Sequence, residues 1–148
     1  MGSITQSVDV DVPVRTAYNH AARFEAFPHF VEGVESVVQH GDATTHWRIK
    51  LGGGGAEREF DARITVQRPD ECIAWVSVSG PRHVGIVTFQ PLGEGRTRVT
   101  LQIQTDPQGP ADKTADAADL LLRKVKGDLR RFADFVEQRG EVAVPPAM

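Results

Sequence analysis

Near the C-terminus, Ala118, Leu122, Val125, Leu129, Phe132 and Val136 recur at alternating steps of four and three residues. That is the period of an α-helix with one apolar stripe, and it predicts a long helix over about Pro110 to Arg139. A lone helix cannot hold such a stripe in water, so it must lie across whatever the preceding residues build. Those residues read as strands. The chain is therefore expected to be α+β, a sheet wrapped on one long helix. A sheet curved around a helix leaves room between the two layers, and a functional site is expected in that space.

Ile4 to Val10 alternates and reads as a first strand. Asp11-Val12-Pro13 starts a helix, since proline suits the first helical turn, and this helix runs through Tyr18 to about Ala22. Phe24 to Phe30 reads as a second short helix, interrupted at Pro28. From Val34 the period drops to two, with strands expected at Val34–Gln39, Thr45–Leu51, Glu57–Gln67, Cys72–Ser79, Val84–Pro91 and Arg96–Thr105. Turn signals divide them at Gly41-Asp42, Gly52–Gly55, Pro69-Asp70, Gly80-Pro81 and Gly93-Glu94-Gly95. Strands this close in sequence must pair as antiparallel hairpins. Residues 1–140 are expected to form one domain, and Glu141–Met148, with two prolines and no pattern, a mobile tail.

The Gly52–Gly55 turn fixes a register. Pairing Leu51 with Ala56 sets Trp47 opposite Phe60 and Ile49 opposite Arg58 on one face. On the other it sets Lys50 against Glu57, Arg48 against Glu59 and His46 against Asp61. Opposite charges facing across strands support this pairing. The charged face is assigned to solvent and the Trp47/Phe60 face to the helix, which leaves Arg58 as a cation on the apolar side.

Charge and composition exclude several classes. The formal net charge of -3 over 148 residues offers no electrostatic reason for a nucleic-acid partner. Cys72 is the single cysteine, so an internal disulfide and a cysteine-based metal cluster are ruled out. His20, His29, His40 and His46 show no paired metal-ligand spacing, and Gly52–Gly55 lacks the Lys-Ser/Thr of a phosphate loop. Neither a secretory signal nor an apolar run of membrane-spanning length is present. The expectation is a cytoplasmic monomer or homodimer, with no cofactor, no metal and no stable membrane insertion.

By parity the inward face collects Ile73, Trp75, Ser77 and Ser79 from one strand and His83, Gly85, Val87 and Phe89 from the next. Thr97, Val99, Leu101, Ile103 and Thr105 continue it. Apolar area with a few polar groups is what a pocket for a small apolar ligand needs, in the usual range of roughly 300–1,000 Å³. Arg58 could hydrogen-bond a ligand carbonyl or carboxylate, or could snorkel to an acid at the cavity mouth. His83 could act as a base near neutral pH, although its place after Gly80-Pro81-Arg82 points to a solvent-exposed turn. Tyr18 could offer its phenol to a ligand or anchor the core. Trp47, Trp75 and Phe89 suit either ligand-stacking walls or plain core, and Phe24, Phe27 and Phe30 either a lid or helix packing. The basic run Arg123, Lys124, Lys126, Arg130 and Arg131 reads mainly as the solvated face of the long helix, with membrane or nucleic-acid contact as the weaker alternative.

Several local signatures together resemble the polyketide cyclase/dehydrase branch of the START-like superfamily (SRPBCC, Bet v 1-like), over about Ser3 to Gly140. They are Val12-Pro13-Val14 with Tyr18, Phe24-Glu25-Ala26-Phe27-Pro28-His29-Phe30, and Gly33-Val34-Glu35-Ser36-Val37. Pro69-Asp70 before Ile73-Ala74-Trp75, Gly85 before Val87-Thr88-Phe89, Thr97–Leu101 and Asp128–Phe132 complete the set. The resemblance implies a helix-grip fold: a curved antiparallel sheet of about seven strands around the C-terminal helix, with two short helices after the first strand. It also implies a small hydrophobic or aromatic, polyketide-like ligand in the cavity, with cyclase/dehydrase (aromatase) activity as an extension. A quinone or lipid carrier and an interaction module with a closed core stay open, because a shared fold does not carry a shared reaction. Ligand-binding residues expected on this reading are Arg58, Trp75, Ser77, His83, Tyr18, Phe89 and Phe27.

Overall fold

A computed structural model describes residues 2–31, 33–41, 43–50, 57–79, 82–105 and 115–139. The glycine turn 51–56, Pro110–Thr114 and the tail 141–148 lie outside the described residues. So do the side chains of Arg58, Thr105 and Ala118.

Strand β1 (Gly2–Val10) leads into helix α1 (Val14–Ala21) and a 3-10 helix (Phe24–His29). Six strands follow: β2 (Val34–His40), β3 (Thr44–Lys50), β4 (Glu57–Arg68), β5 (Cys72–Ser77), β6 (His83–Pro91) and β7 (Thr97–Thr105). Helix α2 (Ala115–Arg139) ends the described chain. All seven strands form one antiparallel sheet in the order β1-β7-β6-β5-β4-β3-β2. This is the α+β helix-grip arrangement.

The β3/β4 register is the one expected, with Trp47 opposite Phe60, Ile49 opposite Arg58, Arg48 opposite Glu59 and His46 opposite Asp61. The charges that fixed it meet on the outer face. His46 bonds Glu59 through Nε2 at 2.8 Å and Asp61 through Nδ1 at 2.6 Å. Those two bonds raise the His46 pKa, the Glu59 bond contributing most. At the opposite edge, Asp9 accepts two hydrogen bonds from Arg98, at 2.9 and 3.3 Å, which hold its carboxyl below the ordinary range.

Register shifts between Ile64 and Val66 and between Val34 and Ser36 add residues to one strand of a pair. Such bulges bend the strand and increase its twist, and the sheet curls towards α2. The tight turn into β2 needs Gly33, whose φ of 88° is in the left-handed region and whose added Cβ would meet the Lys50 carbonyl at 3.0 Å. At the β1/α1 corner, the Thr97 hydroxyl donates to the Val12 carbonyl at 2.9 Å from a fully buried position.

Of the predicted stripe of α2, Leu122 is half-buried and the four residues after it are buried. Val125, Leu129, Phe132 and Val136 are all buried, together with Ala133. Phe132, Ala133 and Val136 join a core of Val10, Val99, Ala17, Phe24 and Phe30. Phe135, off the predicted stripe, is half-buried and packs against Phe30, His20 and His29 at centroid distances of 5.3, 5.5 and 5.7 Å.

Candidate functional site

Core packing is not complete. Between the sheet and the middle of α2 lies a cavity of about 240 Å³. A dry apolar cavity of about 150 Å³ accommodates benzene, so this one suits one ring with substituents or two small fused rings, on the order of ten non-hydrogen atoms.

Three surfaces enclose it. Strands β5 to β7 supply Trp75, His83, Val87, Val99, Leu101 and Ile103. An aromatic end comprises Phe27, Phe30, Trp47 and Phe60. Helix α2 supplies Lys124, Val125, Asp128, Leu129 and Phe132.

The aromatic end is one connected series of rings. Phe30 meets Phe27 at 5.1 Å, Phe27 meets Trp47 edge-on at 5.4 Å, and Trp47 stacks on Phe60 at 5.6 Å with only 8° between planes. Phe60 then meets the His83 ring at 5.2 Å and 87°. Rings in edge and offset contact brace one another. The Trp47 indole is further fixed because its Nε1–H donates to the Thr45 hydroxyl at 2.8 Å.

On the sheet side Trp75 is seated by an absence of side chain. It is paired with Gly85 across β5 and β6. A Cβ at Gly85 would lie 2.2 to 2.6 Å from three indole carbons, well inside van der Waals contact. A glycine in a strand interior commonly marks such a close approach.

His83 is not the exposed turn residue that Gly80-Pro81-Arg82 suggested. It is the first residue of β6, half-buried on the cavity wall. Its backbone N–H donates to the Ser77 hydroxyl at 3.0 Å, and this bond ties the end of β5 to the start of β6. The Ser79 hydroxyl similarly accepts from the Asp61 N–H at 2.9 Å.

Among the residues singled out from the sequence, Trp75, His83 and Phe27 therefore meet at the cavity, together with Trp47. Tyr18, Phe89 and Ser77 do not form its wall. Tyr18 is a buried anchor of α1, edge-on to Phe89 at 5.6 Å. Burial raises its phenol pKa, the hydrogen-bonded Gln67 side chain opposes that, and the nearby Asp70 charge adds to the rise. Arg58 is placed by its backbone alone, opposite Ile49.

Two charged residues of the cavity wall were not read as site residues from the sequence. Lys124 belongs to the basic run assigned to solvent, and Asp128 is buried at 8% exposure. Both line the cavity. Lys124 Nζ lies 2.5 Å from Asp128 Oδ2, and Arg131 pairs with Oδ1 of the same carboxylate. Arg131 also donates through Nε to the Phe30 carbonyl at 3.0 Å, which fastens α2 to the end of the 3-10 helix. The spacing of four between Lys124 and Asp128 was the available signal. Among the described residues, no group of three or more His, Cys, Asp or Glu side chains is arranged to hold a metal ion, and no helix is long and apolar enough to cross a membrane.

With this geometry in hand, likeness to other proteins is informative. The family described as "Polyketide cyclase / dehydrase and lipid transport" matches residues 10–134. An uncharacterised 17.2 kDa protein of Streptomyces lincolnensis, from the melC2-rnhH intergenic region, is 43% identical over 142 residues, covering 95% of this chain and 93% of that one. The Zhui aromatase/cyclase from Streptomyces sp. R1128 superposes with a TM-score of 0.74 at 18% identity, over 95% of this chain and 99% of that one. A START superfamily protein from Mycobacterium smegmatis gives 0.70 at 14% identity, over 93% and 95%. At these identities the two structures establish the fold.

Proposed function

Because the chain belongs to the polyketide cyclase/dehydrase and lipid transport family, we propose that it binds a small hydrophobic or aromatic, polyketide-like molecule in the cavity between sheet and α2. The observation that carries this reading is the cavity itself: about 240 Å³ walled by aliphatic and aromatic side chains, with His83, Lys124 and Asp128 as its charged or titratable members. Area for affinity with sparse polar groups for orientation is the usual composition of such a site.

The size sets the class of occupant. A compact one- or two-ring molecule suits the space that the described walls line. At about 0.5 kcal/mol per non-hydrogen atom, within the limits known for small ligands, ten atoms give about 5 kcal/mol, a Kd of roughly 0.2 mM. A tighter natural ligand would extend beyond the cavity and use further groups. Arg58, carried on β4 opposite Ile49, is our candidate for that contact.

If the protein also turns its ligand over, the same cavity would hold a folded poly-β-ketone with its reacting carbons together. His83 is then the candidate proton acceptor on the sheet wall. Tyr18, which lies away from that wall with a phenol pKa raised by burial, is assigned to packing.

Native mass spectrometry of protein purified from its own host, followed by extraction, tests the reading. The expected result is a bound aromatic compound that is lost in Arg58→Ala or Trp75→Ala. An empty protein that gains no thermal stability from a panel of aromatic polyketides and quinones would refute it in favour of an interaction module.

A further inference from the structure

The α2 side of the cavity carries its charged side chains, Lys124 and Asp128. Lys124 lines the cavity while its side chain stays 35% exposed, so it stands where the cavity meets solvent. Its ammonium has three N–H donors, one of which is directed at Asp128 Oδ2. The Asp128 carboxylate is engaged on both oxygens, by Lys124 on Oδ2 and by Arg131 on Oδ1. A molecule entering here therefore meets donors on Lys124, and the buried acid behind them is already bonded to cations.

Asp128 also restricts Lys124. A lysine held by a carboxylate four residues on, along the same helix, has less rotamer freedom to lose when it takes a ligand. On either side the walls are apolar, with Val125, Leu129 and Phe132 from the helix and the Phe27/Trp47/Phe60 rings beyond. Apolar surface leading to a half-exposed, pre-positioned ammonium suits a molecule with a ring at one end and an anionic oxygen at the other.

We infer that Lys124 forms a carboxylate-accepting subsite at the mouth of the cavity, and that the ligand is an aromatic acid whose ring enters while its carboxylate remains beside the ammonium. This rests on the reading of the cavity as a binding site. Arg131 has a separate part: it keeps Asp128 neutralised when the Lys124 ammonium turns to the ligand. His83 lies on the sheet wall of the same cavity.

The test is a pair of size-matched probes, phenylacetate and phenylacetamide, titrated into the 15N-labelled full chain and followed by amide chemical shifts. The acid is expected to bind roughly tenfold more tightly than the amide, the scale of one partly screened charge-assisted hydrogen bond. Added salt should erode that preference. Lys124→Met, which keeps an apolar stem and leaves Asp128 with Arg131, should bring the acid-to-amide ratio close to one, and Lys124→Arg should restore it.

Equal affinities in the wild-type chain, or a preference that survives Lys124→Met, overturn the inference and leave the cavity reading standing. If neither probe, nor uncharged indole, shifts resonances around Trp75 and Phe132 at millimolar concentration, both fall together.

Discussion

The contact between Gly85 and Trp75 gives the sharpest test of the geometry. In Gly85→Ala the new methyl would lie 2.2 Å from Cζ2 of the Trp75 indole, 2.5 Å from Cε2 and 2.6 Å from Cη2. Non-bonded carbons rest about 3.5–4.0 Å apart, so the ring must retreat by at least ~1.3 Å. The backbone has little freedom to do so instead, because Gly85 is laddered to Trp75 on one side and to Ile103 on the other. The indole must therefore move into the cavity, which loses volume. Overpacking of this kind costs about 1–3 kcal/mol. For a chain of this length that corresponds to a fall in Tm of roughly 3–10 °C. Calorimetry of the single variants Gly85→Ala and Trp75→Phe, and of the double variant, isolates the contact. The smaller ring should tolerate the methyl, so the double variant should be more stable than the sum of the singles predicts by well over ~0.5 kcal/mol. Additivity within about 0.3–0.5 kcal/mol would refute the seating of Trp75 on Gly85. So would an unchanged affinity for aromatic probes in Gly85→Ala.

Other expectations follow from separate parts of the molecule. The bonds to Glu59 and then Asp61 raise the His46 pKa above its ordinary 6.5, so its stabilisation is complete below that value and is lost as pH rises through the raised pKa. The Tm advantage of wild type over His46→Gln should be largest near pH ~5.5 and shrink towards ~8.5, and a constant difference would contradict this. Asp128→Ala removes the acid shared by Lys124 and Arg131 and should cost about 1.5–3 kcal/mol in urea unfolding, the range for hydrogen bonds to a charged group. A loss below ~0.5 kcal/mol would mean the network is ornamental. Phe132→Ala, in the buried stripe and on the cavity wall, should cost about 3–5 kcal/mol. It should also admit larger ring systems, as judged by thermal shift against a graded aromatic series.

Much of the fold was legible because it depends on local periodicity and on pairing partners close in sequence. The stripe Val125, Leu129, Phe132 and Val136 required only its spacing. The β3/β4 register followed from four charged or aromatic pairs facing across one turn. The site was less legible. His83 looked like a turn residue because Gly80-Pro81 precedes it, yet pairing with β7 carries the strand back as far as His83, opposite Thr105. Lys124 read as a solvated charge because it belongs to the basic run that flanks the stripe, and Asp128 was read only as part of the Asp128–Phe132 signature. How deep a flanking residue sits depends on how closely the sheet approaches the helix, and that distance is a property of the whole packing. Gly85 was placed on the correct face, but its role as the seat of an indole emerges only when the neighbouring strand puts Trp75 against it. Cavity volume depends on the same tertiary distances, and the structure gives a smaller space than the usual ligand-pocket range.

Both tryptophans of this chain, Trp47 and Trp75, line the cavity, and this has an optical consequence. Intrinsic emission excited at the red edge of protein absorbance arises entirely from the two indoles that an occupant would touch. Their surroundings differ. Trp47 lies parallel to Phe60 with its N–H bonded to Thr45, whereas Trp75 lies against the Gly85 backbone. Replacing either one by phenylalanine leaves a single-tryptophan protein, so quenching or a spectral shift can be assigned to one end of the cavity or the other. A ligand that absorbs in the near ultraviolet would accept excitation energy from both. Occupancy can therefore be followed in unlabelled protein, and the difference between the two signals reports which way round the ligand lies.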